Sequence, residues 1–264
     1  MLIHPQIDPV IFSIGPVSVR WYGLMYLIGF GLFMWLGRVH ARRRPEMGWK
    51  PQDIDDLLFY GVIALVIGAR LGEVLFFQPG YYFSHPGDII KIWEGGLSFH
   101  GGFLGVLVAV VVYSWRHRRH FWDVTDFIAP LIPLGLACGR IGNFINGELV
   151  GRPASADLPW AMVYPFVDDL PRHPSQLYQA TGEGMLLFVL LWLFSAKHRP
   201  RRAVSALFLI GYGVFRFIAE FFRTPDAGIF DWIPLDLTTA QWLCIMMIVA
   251  GVVLMPWKKM GDSR

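Results

Sequence analysis

The sequence predicts an all-α integral membrane protein with seven transmembrane helices and a small extracytoplasmic head between helices four and five. Of its 264 residues, 55% are hydrophobic and only 16% are charged, whereas roughly a quarter of the residues of soluble proteins are charged. Seven apolar windows approach or reach the roughly 20 residues that a helix needs to cross the hydrocarbon core of a bilayer. These windows cover residues 21–36, 57–77, 97–115, 124–141, 177–195, 204–222 and 237–257.

The distribution of lysine and arginine supports an odd number of spans and predicts their orientation. Fifteen of the 23 basic residues fall in four segments that lie on one side if there are seven spans, namely 38–50, 116–119, 197–202 and the tail from residue 258. Basic residues concentrate in cytoplasmic loops. We therefore expect an extracytoplasmic N-terminus and a cytoplasmic C-terminus. The net charge of +3 reflects this asymmetry and not a nucleic-acid-binding surface.

The first two spans carry features that admit two interpretations each. Tyr22 and Tyr26 are four residues apart and share a helix face; they either anchor the helix in the interfacial aromatic belt or turn inward toward a substrate. In the second span, Gly68-Ala-Arg-Leu-Gly72 has the small-xxx-small spacing that lets helices approach closely. Arg70 and Glu73 are three residues apart, so a structural ion pair is the favoured interpretation and a functional role is the alternative.

His100 lies in the first turn of the predicted third span, beside Gly101, Gly102 and Gly105. The partial positive charge at a helix N-terminus favours the neutral imidazole, and a neutral imidazole can act as a base. Taken alone, an interfacial histidine of this kind is more simply explained as structural.

Segment 139–152, GRIGNFINGELVGR, is the most unusual part of the sequence, because glycines and polar side chains replace an apolar run. Glycine lets the backbone turn sharply or approach a ligand closely, and the planar fork of an arginine matches phosphate oxygens two at a time. We interpret the segment as a phosphate-headgroup site at the membrane boundary. Residues 143–176 are too polar and too rich in proline to span, and are predicted to form the extracytoplasmic head.

The sixth span contains a second polar pattern, since Tyr212, Arg216, Glu220 and Arg223 fall on one helix face. Such a stripe in an apolar helix must face the protein interior or water. The ionisable residues within the spans all belong to the outer half, which favours one outward-opening cavity over a conduit or proton relay. The absence of an internal sequence repeat also argues against an inverted-repeat transporter.

The two cysteines, Cys138 and Cys244, fall in predicted spans and lack CxxC or metal-ligand spacing. We interpret both as packing residues, with a nucleophilic Cys138 as the alternative. No cluster of cysteine, histidine and acidic residues has metal-ligand spacing, so neither a metal nor another cofactor is expected.

Five segments together resemble the bacterial prolipoprotein diacylglyceryl transferase family. Besides 139–152 they are WYGLMY (21–26), GGLSFHGG (95–102), RHPSQLY (172–178) and GYGVFRFIAEFFR (211–223), in family order and over nearly the whole chain. The resemblance implies a multi-pass enzyme of the bacterial inner membrane. It would transfer the diacylglyceryl group of phosphatidylglycerol to the lipobox cysteine of a prolipoprotein, forming a thioether and releasing glycerol 1-phosphate.

The resemblance also implies roles for individual residues. His100 matches the proposed base, Arg140 the phosphate-binding arginine of the signature, and Arg216 the essential arginine of the sixth span. The resemblance matches supporting positions at Tyr22, Asn143, Glu148, Gly151, Tyr212 and Glu220. Further substrate-binding candidates in the same segments are Tyr26, Asn146 and Arg223.

Three rival classes remain open at this point. A lipid-phosphate phosphatase would bind the same headgroup, but its Lys/Arg…Pro-Ser-Gly-His…His pattern is absent from the sequence. A lipid flippase would show polar groups in the inner half of the spans, or repeats. A non-catalytic lipid-binding scaffold is compatible with the composition.

Overall fold

The computed structural model describes residues 2–15, 17–225 and 237–257, and these residues are mostly helical. The α-helices are α1 (Trp21–Arg43), α2 (Pro51–Gly72), α3 (Pro79–Ser84), α4 (Phe99–Arg116), α5 (Phe121–Ile128), α6 (Ile132–Asn146), α7 (Ser175–Gln179), α8 (Leu187–Ser195), α9 (Ala203–Glu220) and α10 (Thr239–Leu254). The strands are β1 (Leu2–Ile3), β2 (Val10–Ile14), β3 (Val17–Arg20), β4 (Met162–Val163) and β5 (Pro171–Arg172).

Six helical segments in the described part of the chain are long and apolar enough to cross a membrane. They are Trp21–Arg43, Pro51–Phe77, Phe99–Arg116, Phe121–Asn146, Ser175–Ser195 and Ala203–Glu220. The helical membrane architecture predicted from the sequence is therefore confirmed. α10 is apolar but has only 16 residues, so a seventh span stays a prediction. The basic tail from residue 258 lies outside the described residues.

The helical segments differ in their bounds from the apolar windows, and two of the differences concern the first and fourth spans. α1 continues past residue 36 to Arg43, because the basic side chains of its last turn interact favourably with the negative end of the helix dipole. The fourth span is interrupted between α5 and α6 by a 3₁₀ turn, Ala129–Leu131. Pro130 and Pro133 cannot donate backbone hydrogen bonds, which explains why the helix is not continuous there.

The chain forms two compact units. The terminal unit comprises Met1–Leu36 and Asp126–Arg264, and the central unit comprises Gly37–Thr125. In the central unit, α2 and α4 pack through facing glycines. A Cβ at Gly68 would lie 2.9 Å from the Cα of Gly105, and one at Gly72 would lie 2.8 Å from the Cα of Gly101. The close approach predicted from the small-xxx-small spacing is thus confirmed.

Arg70 in the central unit has different partners from the predicted one. Its buried guanidinium donates hydrogen bonds to the backbone carbonyls of Ile89 at 2.8 Å, Gly95 at 2.6 Å and Gly96 at 2.9 Å. No ion pair between Arg70 and Glu73 occurs among the described residues. The predicted pair is wrong, because the five donors of a guanidinium are satisfied by a loop folded back over it. The structural role favoured from the sequence is nevertheless supported.

In the terminal unit, small residues bring α6 close to its neighbours. A Cβ at Gly29 of α1 would lie 3.3 Å from the Cα of Gly135, and one at Gly142 would lie 2.9 Å from a ring carbon of Tyr22. Gly184 meets α6 in the same way, at Ala137. These contacts align α1 and the segment around Gly184 along the α6 turns that carry Arg140.

The N-terminal residues and the polar segment between α6 and α7 share a small sheet. β1 pairs in parallel with β4, and β4 pairs antiparallel with β5; β2 and β3 form a separate antiparallel hairpin. Arg172 at the end of β5 binds Asp168, and this hydrogen bond lowers the pKa of the Asp168 carboxyl. Arg172 also donates to the carbonyl of Gly151 at 3.0 Å, which ties the sheet to the end of the signature segment.

Candidate functional site

The signature segment leaves α6 through a tight turn that folds its acid back onto the helix. Gly147 adopts a left-handed conformation with φ of +69°, which glycine tolerates without strain. The Glu148 amide then donates to the carbonyl of Asn143 at 2.8 Å. The Glu148 carboxylate accepts from the side-chain amides of Asn143 at 3.0 Å and Asn146 at 3.2 Å. Three residues predicted to bind substrate are thereby held in one arrangement.

The loop after Glu148 is fixed from two directions. Gln176 donates to the Glu148 carbonyl at 2.6 Å, and Ser175 donates to the Leu149 carbonyl at 2.9 Å. Gly151 pairs with Arg223 just beyond the end of α9, and a Cβ at Gly151 would lie 2.7 Å from the carbonyl oxygen of Phe222. Only glycine fits at that position without displacing backbone. Three segments singled out in the sequence (139–152, 172–178 and 211–223) therefore meet here.

Arg140 faces a carboxylate from another span. Its Nη2 lies 3.6 Å from Oε2 of Glu183, which is 1% exposed. Glu183 belongs to a π-helical turn, Ala180–Leu186, within the span Ser175–Ser195. Single π-helical turns are frequent at functional sites. Neither oxygen of Glu183 has a hydrogen-bond partner among the described residues, so the pair is an ion pair at longer range and not a close, saturated contact.

The polar stripe of α9 forms a second ionic cluster. Glu220, which is 1% exposed, lies 2.7 Å from Nη1 of Arg216 and 3.7 Å from Nη1 of Arg223. Thr238, just before α10, donates to the same carboxylate at 3.0 Å. Arg216 and Glu220 share a face of α9 as expected, whereas Arg223 lies just beyond the end of the helix and still reaches the same carboxylate.

The two clusters form one electrostatic group. The charges of Arg140, Arg216 and Arg223 all act on the Glu183 carboxylate, and Tyr212 lies within electrostatic range of Glu183, Arg140 and Arg216. Three guanidinium groups are thereby gathered around the buried carboxylates of Glu183 and Glu220. Because the planar fork of a guanidinium matches phosphate oxygens two at a time, such a group is suited to an anionic ligand.

Tyr22 and Tyr26 belong to the same neighbourhood. Their hydroxyl oxygens are 3.2 Å apart, and Tyr22 packs against Gly142 of α6. Tyr26 lies within electrostatic range of Arg140 and Glu148. These contacts support the inward-facing interpretation for Tyr22, whereas Tyr26 is 41% exposed.

His100 lies in the central unit, as the second residue of α4. The Ser98 hydroxyl caps this helix by accepting a hydrogen bond from the Gly101 amide at 3.3 Å. The imidazole is exposed and makes an edge-to-face contact with Phe99, with ring centroids 5.7 Å apart. The predicted location in the first turn is confirmed, while its role as base stays a prediction.

Several residues of this neighbourhood were not among the candidates from the sequence, notably Gln176, Gln179, Glu183 and Thr238. Glu183 is one of the ionisable residues in the outer half of the predicted spans. A carboxylate inside an apolar helix is itself a signal of function, so the sequence could have identified this residue. Both cysteines are buried, in agreement with packing roles. Across the described residues, no group of histidine, cysteine and acidic side chains is arranged to hold a metal ion.

Fold and site together define a class: a multi-pass helical membrane protein with a buried, arginine-rich polar group suited to an anionic ligand. Comparison with known proteins narrows the class. A family model described as prolipoprotein diacylglyceryl transferase matches residues 9–257. The chain is 71% identical over 255 residues to the phosphatidylglycerol–prolipoprotein diacylglyceryl transferase of Aromatoleum aromaticum, with 97% of each chain covered.

Two further relatives carry the same name. The protein of Azoarcus sp. is 69% identical over 255 residues, covering 97% of this chain and 96% of the relative. That of Cupriavidus metallidurans is 59% identical over 261 residues, covering 97% and 95%. The chain therefore belongs to the prolipoprotein diacylglyceryl transferase family, and the resemblance seen in its sequence is confirmed.

Proposed function

We propose that this protein transfers the diacylglyceryl group of phosphatidylglycerol to the thiol of the lipobox cysteine of prolipoproteins, the first step of bacterial lipoprotein maturation. Family membership over residues 9–257 and the names of the relatives support this donor and acceptor. The single structural observation that carries the proposal is the group of Arg140, Arg216 and Arg223, which brings three guanidinium groups together around two buried carboxylates.

The reaction is a displacement at the glycerol C3 of the diacylglyceryl group. The cysteine sulfur forms a bond to C3 as the bond from C3 to the phosphate oxygen breaks, giving a thioether and glycerol 1-phosphate. The thiolate is the nucleophile, so a base must take the thiol proton. Negative charge develops on the leaving phosphate, and preorganised cations that meet this charge stabilise the transition state.

In this mechanism His100 accepts the thiol proton and Arg140 binds the phosphate. Arg216 stabilises the charge of the leaving group, and Glu220, only 2.7 Å away, orients it. Asn143 and Asn146 hold Glu148 through their side-chain amides. None of these steps requires a metal or an organic cofactor.

The remaining substrate-binding residues have supporting roles. Gly151 lets the loop approach Phe222 and Arg223 closely. Tyr22, Tyr26 and Tyr212 line the same neighbourhood with hydroxyl groups, and the side chain of Arg223 shares Glu220 with Arg216.

The proposed setting is the bacterial inner membrane, with the reaction on its outer side. Six spans and the apolar α10 would give seven crossings, with an extracytoplasmic N-terminus and a cytoplasmic C-terminus. Residues 143–176 would then form an extracytoplasmic head within a single polytopic domain. The 15 basic residues in the four segments assigned to the cytoplasm support this orientation.

The test is an assay of purified protein with phosphatidylglycerol and a synthetic peptide containing a lipobox cysteine, followed by mass spectrometry of peptide and lipid. We expect a peptide heavier by one diacylglyceryl group and equimolar glycerol 1-phosphate. Hydrolysis of the lipid without peptide modification would indicate a phosphatase, lipid movement across vesicles a flippase, and binding without turnover a scaffold. Each of these three results would contradict the proposal.

A further inference from the structure

We propose that Gln179 and Glu183 form a subsite that recognises hydroxyl groups on the headgroup of the donor lipid, and that this subsite selects a polyol phosphodiester. The inference rests on the proposed function and extends it to the choice of headgroup. Both residues belong to the span Ser175–Ser195, one helical turn apart, and neither was singled out as a site residue from the sequence.

Both side chains are deeply buried and lack hydrogen-bond partners. Gln179 is 0% exposed and Glu183 is 1% exposed. In the described part of the chain, neither amide atom of Gln179 and neither carboxylate oxygen of Glu183 has a hydrogen-bond partner. Buried polar groups are hydrogen-bonded in the great majority of cases, so such a cluster points to a ligand or solvent. Gln176, on the same helix and equally buried, contrasts with them because it donates to the Glu148 carbonyl at 2.6 Å.

Glu183 contacts the arginine assigned to the phosphate, and Gln179 lies one helical turn before Glu183 on the same span. Near the start of the span, Gln176 contacts the Glu148 backbone. Further along the same span, Glu183 lies 3.6 Å from Arg140. Gln179 falls between these two contacts along the helix. A phosphodiester bound at Arg140 would therefore place its alcohol substituent within the range of one or both unpartnered side chains.

The available donors and acceptors match a polyol. Gln179 offers two N–H donors and one acceptor oxygen, whereas an ionised Glu183 offers acceptors only. Each hydroxyl group can donate to a carboxylate and accept from an amide at the same time. A cationic headgroup matches less well, because the charges of three arginines also act at Glu183. An alkyl headgroup would leave these buried polar atoms unpaired, and such a mismatch rejects analogues strongly.

The experiment compares donor lipids that share the phosphodiester charge and differ only in hydroxyl groups. Wild-type protein is assayed for peptide transfer with phosphatidylglycerol, phosphatidyl-1,3-propanediol and phosphatidylpropanol, and kcat/KM is measured for each. We expect a stepwise fall with each hydroxyl removed, to about 10²-fold or more for phosphatidylpropanol. Failure of the wild type to use phosphatidylglycerol would contradict the proposed function itself. Equal use of all three lipids would overturn only the hydroxyl subsite.

Two variants assign the effect to the residues. Gln179→Met keeps the length of the side chain and removes its polar atoms, and Glu183→Gln keeps its shape and removes its charge. We expect each to lower kcat/KM for phosphatidylglycerol by about tenfold or more while changing that for phosphatidylpropanol much less, so that the preference shrinks. An equal loss with both lipids would instead mean a structural role or one in holding Arg140, and would overturn the subsite.

Thr181→Val is the matched control on the same helix. Thr181 is exposed, and its hydroxyl donates to the Leu177 carbonyl at 2.8 Å. Its removal should leave both rates and the preference unchanged. If a variant in the subsite fails to fold, the wild-type comparison of the three lipids still decides whether hydroxyl groups are recognised.

Discussion

Arg140 and Arg216 differ in how closely the protein's own carboxylates neutralise them. Arg216 is 2.7 Å from Glu220 and its side chain is 12% exposed, whereas Arg140 is 3.6 Å from Glu183 and 21% exposed. The guanidinium of Arg140 thus has more donors available for a substrate oxygen. Arg216 is held in place before any substrate binds, as preorganised stabilisation of charge requires.

This difference leads to a prediction for lysine substitutions. Arg140→Lys keeps the charge and loses the planar fork, so we expect transfer to fall by roughly 10²–10³-fold while the protein still inserts and is extracted normally. Arg216→Lys should lower activity and also the yield of folded protein, because it disturbs a buried ion pair. The measurements are initial transfer rates together with expression levels.

Arg116→Lys, in the exposed last turn of α4, is the matched control and should behave as wild type. Near wild-type turnover in both site variants would identify Arg140 and Arg216 as structural counter-ions only.

His100 leads to a prediction about proton transfer. A positioned base contributes about 10²–10⁴-fold, so we expect His100→Gln, which keeps a hydrogen-bonding side chain, to slow transfer within that range. A peptide whose cysteine is replaced by a more acidic thiol should restore much of the rate, since it needs less help to form the thiolate. The measurement is the ratio of rates for the two peptides in wild type and variant. If the variant remains equally slow with the acidic thiol, His100 does not remove the proton.

At the scale of elements, the facing glycines of α2 and α4 lead to a stability prediction. A Cβ at Gly105 of α4 would overlap the carbonyl of Ala64 in α2 and lie 3.2 Å from the Cα of Gly68. A Cβ at Gly61, which is also in α2, would meet open space. We expect Gly105→Ala to destabilise the protein by about 1–3 kcal/mol through overpacking. Gly61→Ala should be neutral or slightly stabilising because alanine favours helix. Thermal unfolding in detergent compares the two, and similar midpoints would contradict the close packing.

Periodicity explains which elements could be predicted from the sequence. The shared face of Arg216 and Glu220 was predicted correctly, because their spacing on one helix determines it. Arg223 lies beyond the end of α9, so its contact with Glu220 does not follow from helical periodicity. The partners of Arg70 and Arg140 were missed for the opposite reason. They lie on other elements, in the loop up to Gly96 and at Glu183, and no periodic pattern in one helix indicates which distant segment packs against it.

Strand β1 was missed on similar grounds. β1 has only two residues and pairs with β4, in which Met162, the partner of Leu2, lies 160 positions later in the sequence. Two residues are too few for an alternating pattern to be recognisable. The glycine-containing turn after α6 is different, because Gly147 and its hydrogen bonds involve neighbouring residues only. Local chemistry of that kind is readable in the sequence.

At the scale of the whole molecule, composition and the sequence segments were sufficient for the membrane class and the family, while the number of spans depends on α10. Its 16 residues correspond to about 24 Å of helix, less than the roughly 30 Å of the hydrocarbon core. The apolar window predicted there, 237–257, extends beyond α10 at both ends. Whether α10 crosses the membrane decides on which side the C-terminus lies.

Cysteine accessibility tests this topology in intact cells with a membrane-impermeant maleimide. Each single-cysteine variant also carries Cys138→Ala and Cys244→Ala, so that the introduced thiol is the one that reacts. Both native thiols are buried in the protein. We expect labelling of Lys91→Cys and Asp168→Cys from outside, but labelling of Lys50→Cys, Arg118→Cys and Arg201→Cys only after permeabilisation, because basic loops stay in the cytoplasm. Labelling of position 201 in intact cells would overturn the orientation.

The seventh span needs a position that follows α10. Six crossings would leave such a position on the same side as the N-terminus, and seven would leave it on the opposite side. The tail from residue 258 contains Lys258, Lys259 and Arg264, and each basic residue near the end of a span favours retention in the cytoplasm. We therefore expect Lys259→Cys to react only after permeabilisation, like position 201 and unlike position 91. Reaction in intact cells would mean that α10 does not cross, and that the 16-residue helix lies within or on the outer side of the membrane.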